Sequence, residues 1–376
     1  MITIQHKQDC CGCSACAQRC PKQCITMAED EEGFLYPKVD TANCIDCHLC
    51  EKVCPVINQY DTRTPLNVYA AKNPDDTIRM NSSSGGIFTI LAEQVINTGG
   101  VVFGACWDDE WNIKHDYAEC VDDLAKFRSS KYVQSRIGEA YRQAKCFLDG
   151  GRNVLFSGTP CQIAGLKLFL CKNYENLLTT ECVCHGVPSP GLWRQYLVEQ
   201  ALSNKRKITD LVGINFRNKE TGWKRYSVEF SYKDGYRDIK FHGNNPWTKS
   251  FINNLNLRPS CTSCPSKCVN SRADITLGDF WGIDTLLEDM DDDKGYSLIV
   301  CHTEKGKNAL TGIKMRHIDF AKVIPFNKAL INSSKENSKR GDFFKNAFLD
   351  FFKTVDNMTK PSFVLRVKLF VAKLIK

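Results

Sequence analysis

Two cysteine runs of identical spacing restrict what the start of this chain can become. Cys10-x2-Cys13-x2-Cys16-x3-Cys20-Pro21 recurs as Cys44-x2-Cys47-x2-Cys50-x3-Cys54-Pro55. Two-residue spacers let a tight loop wrap three thiolates around one iron–sulfur cubane. The fourth cysteine of each run opens a short helix and points to the other cluster. The expected ligand sets are therefore Cys10, Cys13, Cys16 and Cys54 for one [4Fe–4S] cluster, and Cys44, Cys47, Cys50 and Cys20 for the second. Zinc is the competing metal. Its sites usually show two separated Cys-x2-Cys knuckles, not a compressed four-cysteine run ending in Cys-Pro, twice. Cys11 and Cys24 fall outside the pattern.

The rest of the composition agrees with a reducing environment. The chain has 376 residues and 21 cysteines, ten of them before residue 55. Thiols so close in sequence rarely pair with each other, and an odd count in a long chain does not suit a disulfide framework. The length exceeds one compact core and predicts two or three domains. The N-terminus has no apolar stretch of a secretory signal, and no run is long enough to span a bilayer. A cytoplasmic location is the consistent expectation. The formal charge is +7, part of which thiolate-ligated clusters would offset. No basic run is interleaved with aromatics, so a nucleic-acid partner is not expected.

Beyond a polar linker at 61–66 the pattern changes to alternating strands and helices. Val68–Lys72, Val101–Ala105, Asn153–Phe156 and Leu177–Val183 read as strands. Gly86–Thr98, Ile137–Leu148, the stretch through Leu170 and Leu192–Leu202 read as helices. Such alternation predicts an α/β arrangement with parallel pairing. Stricter alternation over 208–243, with a Lys233-Asp234-Gly235 turn, predicts an inserted β-hairpin. The expected organisation is an α+β ferredoxin-like two-cluster module (1–60), then an α/β domain with a mixed sheet in two regions (67–150 and 151–330), then a tail helix (331–376).

Four further motifs could carry chemistry. Cys261-x2-Cys264-Pro265-x2-Cys268 resembles a cluster loop short of its fourth ligand. Cys184 is the favoured fourth, with Cys161 and Cys182 as other candidates, and zinc as the other metal. Asn81-Ser82-Ser83-Ser84-Gly85-Gly86 opens an apolar helix and is either an anion site or a plain N-cap. It is not a Gly-x-Gly-x-x-Gly fingerprint. Gly158-Thr159-Pro160-Cys161-Gln162 places a thiol at the C-terminal edge of a strand, where α/β proteins bind ligands. Phe363–Lys376 mixes apolar and basic residues. It would pack on its own protein or touch a membrane surface.

Together these motifs resemble the family of coenzyme F420 hydrogenase/dehydrogenase beta subunits. The resemblance runs from about Asn67 to about Val300. It rests on Ser82–Gly86, Ser130-Lys131-Tyr132-Val133-Gln134-Ser135, Gly158–Gln162, Cys184-His185-Gly186, the Cys261/Cys264/Cys268 loop and Gly278-Asp279-Phe280-Trp281-Gly282. It implies an FAD-binding α/β domain beside a third [4Fe–4S] cluster. Ser83, Ser84, Gly85 and Gly86 would face the flavin phosphates. Ser130, Lys131, Tyr132 and Gln134 would line the flavin pocket. Thr159 and Cys161 would lie near the isoalloxazine or the third cluster. The implied activity is that of an oxidoreductase in which clusters carry single electrons and FAD pairs them for an organic substrate or an F420-like deazaflavin. The implied partner is a redox protein or a small electron donor or acceptor. An electron relay without catalysis of its own, inside a larger redox complex, is the alternative.

Overall fold

The computed structural model describes residues 1–267 and 270–360. The expected ligand Cys268 and the helix expected over 363–376 lie outside these residues. The N-terminal module contains two cysteine loops, two short helices (Ala15–Arg19 and Leu49–Lys52) and an antiparallel pair, β1 (Ile25–Glu29) and β2 (Leu35–Val39).

The remainder is built on one eight-stranded mixed sheet. Its members are β3 (Asn67–Ala71), β4 (Val101–Trp107), β5 (Ile113–Ala118), β6 (Val154–Gly158), β7 (Leu177–Cys182), β11 (Ile275–Asp279), β12 (Ser297–Cys301) and β13 (Met315–His317). The strand order is β13-β3-β12-β11-β7-β6-β4-β5. Pairing is parallel along β4-β6-β7-β11 and antiparallel at both flanks. Parallel strands are covered on both faces, which is why Val101–Phe103 and Val154–Phe156 read as continuous apolar runs. Strands from 67–150 and from 151–330 interleave in this one sheet.

The inserted segment is a three-stranded antiparallel sheet rather than a simple hairpin. β8 (Leu211–Asn218) pairs with β9 (Ser227–Tyr232), and β9 with β10 (Arg237–Phe241) through the expected turn. The loop between β8 and β9 interrupts the alternation, which hid the third strand. The C-terminal helices Arg340–Ala347 and Phe351–Thr359 add Phe343, Phe344, Phe351 and Val355 to the core around Trp193 and Trp247.

Two helix starts position the sites. Thr159 and Gln162 form a reciprocal capping box with Pro160 at the first turn, fixing the helix Pro160–Leu170 at the edge of β6. The helix Ile87–Asn97 is entered through Gly86 at φ 81°. A Cβ on Gly85 would lie 2.5 Å from Ser297 N and 2.6 Å from Ala71 O. Glycine is thus required there by close backbone approach.

The N-terminal module is seated on this scaffold through buried contacts. Arg258 donates from Nε to Cys10 O (2.7 Å), and from its terminal nitrogens to Gln134 Oε1 (3.0 Å) and Leu35 O (3.0 Å). Gln18 Oε1 accepts from the amides of Tyr141 and Arg142 at 3.1 Å. Gly33 meets Gly191 so closely that a Cβ on the former would fall 2.4 Å from the latter's Cα. Cys11, Cys13, Ala15 and Val53 join the apolar cluster of the sheet itself.

Candidate metal centres and adjoining cavity

The two cysteine runs interdigitate. Burial pushes the Cys16 thiol up to about 12, and the Cys10 and Cys54 thiols reinforce this. Cys13 is likewise raised, with Cys16 and Cys54 among its neighbours. Cys54 feels Cys10 in turn. Cys10, Cys13, Cys16 and Cys54 thus form a first group, with Cys50 of the second run also near Cys16 and Cys54. Cys20, Cys44, Cys47 and Cys50 line a separate opening of about 350 Å³. Among the described residues, no three His, Cys, Asp or Glu side chains gather closely enough to hold a single metal ion. Buried thiols grouped this way disfavour one another's ionised forms unless a cationic core binds them. An all-sulfur donor set suits iron–sulfur clusters.

Cys24, outside the spacing pattern, also lines the second opening. Its Sγ is 3.4 Å from Cys20 Sγ. The Cys20 contact and burial push the Cys24 thiol up to about 11. Burial works against the charged form of Cys20 as well. The amides of Cys24, Lys22 and Gln23 outweigh it, and the Cys20 thiol lies below its ordinary range.

A third group stands at the C-terminal ends of β6 and β7. Burial raises Cys264 to about 12, with Cys161 and Cys184 adding to it. Cys261 is also raised, by burial and then by Cys184 and Cys161. Cys261 Sγ accepts from Val187 N at 3.4 Å. Lys267 Nζ donates to Cys184 O. Cys182 stands two residues before Cys184, at the end of β7. Cys11 and Cys13 share one apolar cluster, and Cys161 packs against it. Buried sulfur therefore runs from the first group through Cys11 and Cys161 to the third.

Beside Cys182 and Cys184 opens a cavity of about 1970 Å³, counting the space open to solvent. Ser83, Ser84, Gly86, Ser130, Lys131, Tyr132 and Thr159 line it. Gly85 and Gln134 do not. Gly85 is pressed against the β3 and β12 backbones. Gln134 turns away to donate to Cys11 O at 3.0 Å and to accept from Arg258. Cys161 is also absent from the lining and belongs with the sulfur path. The serine hydroxyls are partly committed: Ser83 Oγ meets Ser130 Oγ at 2.8 Å, and Ser84 Oγ donates to Tyr296 O at 2.6 Å.

Arg217, on β8, carried no motif signal and organises one wall. It pairs with Asp279 at 2.6 Å, donates to Tyr132 Oη at 3.1 Å and Ser83 O at 3.1 Å, and lies 4.1 Å over the Tyr226 ring. Behind the serine loop, Lys219 Nζ donates to Arg79 O, Ser84 O and Lys294 O at 2.8–2.9 Å. Burial, then the Arg217 charge, brings Lys219 down to about 7. Burial lowers Lys131 to about 8. Arg128, Lys131, Arg217 and Lys328 against Asp279 give the lining a cationic excess.

His115, also on the cavity wall, makes stability pH-dependent. Its Nε2 donates to Ser157 O (3.1 Å), and Nδ1 contacts Ser135 Oγ (3.1 Å). Burial lowers its pKa from 6.5 to about 4. The unfolded chain therefore binds this proton first as pH falls. The stabilisation is complete above pH 6.5 and is lost on the way to pH 4, on the order of 3 kcal/mol. His115→Gln should flatten the fall in thermal midpoint between pH 7 and pH 5. An unchanged slope would assign the acid sensitivity elsewhere.

Comparison with known proteins follows this layout. Residues 151–324 match the family described as the C terminus of the coenzyme F420 hydrogenase/dehydrogenase beta chain, and residues 9–58 match a 4Fe–4S dicluster domain. A curated relative, the F component of the F420H2 dehydrogenase of Methanosarcina mazei, is 25% identical over 177 residues, covering 44% of this chain. The chain spans about half of that relative's length, 49%. A chain of the F420-reducing [NiFe] hydrogenase complex from Methanosarcina barkeri, solved as a xenon derivative, aligns at 16% identity with a TM-score of 0.46. It covers 80% of this chain and 91% of that one. Among the described residues, no helix is long and apolar enough to cross a membrane. Residues 151–324 are thus similar to the C-terminal part of coenzyme F420 hydrogenase/dehydrogenase beta subunits, and residues 9–58 to a 4Fe–4S dicluster domain.

Proposed function

We propose that the chain is an iron–sulfur flavoprotein oxidoreductase linking single-electron carriers to a two-electron reaction in the cavity beside Cys184. Cys10, Cys13, Cys16 and Cys54 would hold one [4Fe–4S] cluster, and Cys44, Cys47, Cys50 and Cys20 the second. Cys184, Cys261 and Cys264, with Cys268 from the sequence motif, would hold a third. FAD would occupy the cavity against Ser83, Ser84, Gly86, Ser130, Lys131, Tyr132 and Thr159. When bound, clusters supply one-electron carriage and a flavin supplies the conversion to hydride transfer.

The observation that carries this reading is the placement of a large cationic cavity at the end of the sulfur path. The excess of Arg and Lys suits a ligand bearing phosphates, and aromatic walls at Tyr132 and Phe251 suit a planar ring. Asp279 and Tyr132 hold the Arg217 guanidinium in place, so its charge is oriented before a ligand arrives. The curated relative's name supports reduced F420 as one candidate substrate in the cavity, with single electrons passing to or from a redox partner at the exposed Cys47. A cytoplasmic setting fits thiolate-bound clusters.

The decisive experiment is anaerobic purification with iron, acid-labile sulfide and flavin quantified together. Iron and sulfide for three clusters with bound FAD are the expected result. Iron without flavin would remove the catalytic reading and leave an electron relay. Zinc in place of iron would remove both.

A further inference from the structure

We propose that Trp281 and Phe326 form a second ring subsite in the cavity, which takes a flat heteroaromatic substrate carrying an anionic arm. The inference rests on the flavoprotein reading above and names the substrate class for that site. The cavity, at about 1970 Å³ with the space open to solvent counted, exceeds the ~300–1,000 Å³ of a pocket for one small ligand. It also touches two separate aromatic pairs. Tyr132 stacks on Phe251 with centroids 4.9 Å apart, on the wall assigned to the flavin. Trp281 stacks on Trp223 at 4.5 Å and 25°, and the flavin gives that pair no role. The Trp281 ring is held in place from below. Trp223 is fully buried and donates from Nε1 to Asp279 Oδ1 at 3.3 Å. Asp279 is itself held by Arg217. Gly295 lies against the Trp223 ring, where a Cβ would fall 2.7 Å from Cδ1. Trp281 nevertheless stays 37% exposed, on the side away from Trp223, in the cavity that it lines.

Phe326, 40% exposed, is seated beside it. Its ring fills the place of a side chain on Gly282, whose Cβ would fall 2.3 Å from Phe326 Cγ. Asn327 Nδ2 ties the two segments together by donating to Trp281 O at 3.0 Å. Large apolar rings left open on a cavity wall mark a binding groove, and a rigid one favours a flat partner. Lys328 lines the same cavity, and its ammonium has no ion-pair partner among the described residues. It supplies a cation for the anionic arm. A sugar would need groups that read its hydroxyls, but the Asn327 amide is already spent on Trp281 O and Val323 O. Phe326, Asn327 and Lys328 follow the stretch matched to the family, residues 151–324, which favours a substrate over FAD as the occupant.

The test uses the full-length protein, purified anaerobically with its clusters and saturated with FAD. Wild type, Trp281→Ala, Trp281→Phe, Phe326→Ala and Lys328→Ala are dialysed against FMN, riboflavin or glucose 6-phosphate, and bound iron and FAD are counted for each. Wild type should retain FMN beside its FAD. Trp281→Ala should weaken FMN retention about tenfold with iron and FAD unchanged, and Trp281→Phe should restore most of it. Lys328→Ala should weaken FMN about threefold and leave riboflavin, the same ring without the phosphate, unaffected. Should Trp281→Ala fail to fold, Phe326→Ala carries the test and should weaken both rings. Failure of FAD-loaded wild type to retain FMN, equal retention by the ring variants, or tighter retention of glucose 6-phosphate than of FMN would overturn the inference. Loss of FAD from Trp281→Ala with iron kept would give the platform to the cofactor and overturn it as well. Wild type that takes up no FAD would overturn the flavoprotein reading on which the inference rests.

Discussion

Cys54→Ala should remove one cluster's iron from the chain, and adding Cys10→Ala should remove no more. The two residues lie in different cysteine runs, yet Cys54 is buried, and the Cys10 charge acts on both Cys54 and Cys16. If each run instead closed its own cluster, the double variant would lose two. The comparison of single and double variants therefore reads the cross-ligation directly, as a difference of about four iron atoms per chain. Retention of full iron by Cys54→Ala, with the chain folded, would refute the assignment.

Arg258→Ala should release the N-terminal module from the sheet domain. The side chain is fully buried. Its removal would strand Cys10 O, Gln134 Oε1 and Leu35 O, each costing about 1–3 kcal/mol if left without a partner. It would also leave a void against Tyr36, whose ring lies 4.2 Å from the guanidinium. A total of about 3–5 kcal/mol is expected. Arg258→Lys should recover only part, since a lysine cannot fork to three acceptors. Hydrogen exchange is the discriminating measurement: amides of residues 9–20 should open ahead of β6 and β7. The exposed Arg316–Asp289 pair makes the contrast, because solvent screens it and its loss should cost little. Equal effects from Arg258→Ala and Arg316→Ala would deny Arg258 its anchoring role.

Much of this was written locally in the sequence. The doubled cysteine run specifies a cluster loop because ligand spacing is a property of a few neighbouring residues. Strands such as Val101–Trp107 and Val154–Gly158 were legible because burial on both faces leaves an unbroken apolar signature. Gln134 was misplaced because a motif treats consecutive residues as one surface. In the folded chain Ser130, Lys131, Tyr132 and Ser135 meet the cavity while Gln134 turns to Arg258. Gly85 was expected to admit a phosphate, but the backbone of β12 occupies that space. Arg217 and Arg258 carried no signal at all. Their importance comes from partners 62 and 248 residues away, and no window of sequence reports such distances.

The seating of the N-terminal module has a kinetic corollary. Gly33 against Gly191, Gln18 against two amides and Arg258 beneath Cys10 leave it no hinge to turn on, so it serves as a fixed terminal and not a swinging arm. Under the proposed function, a redox partner that docks at the rim where Cys47 is exposed would make throughput depend on its concentration and on salt there, while passage within the chain stays indifferent to both.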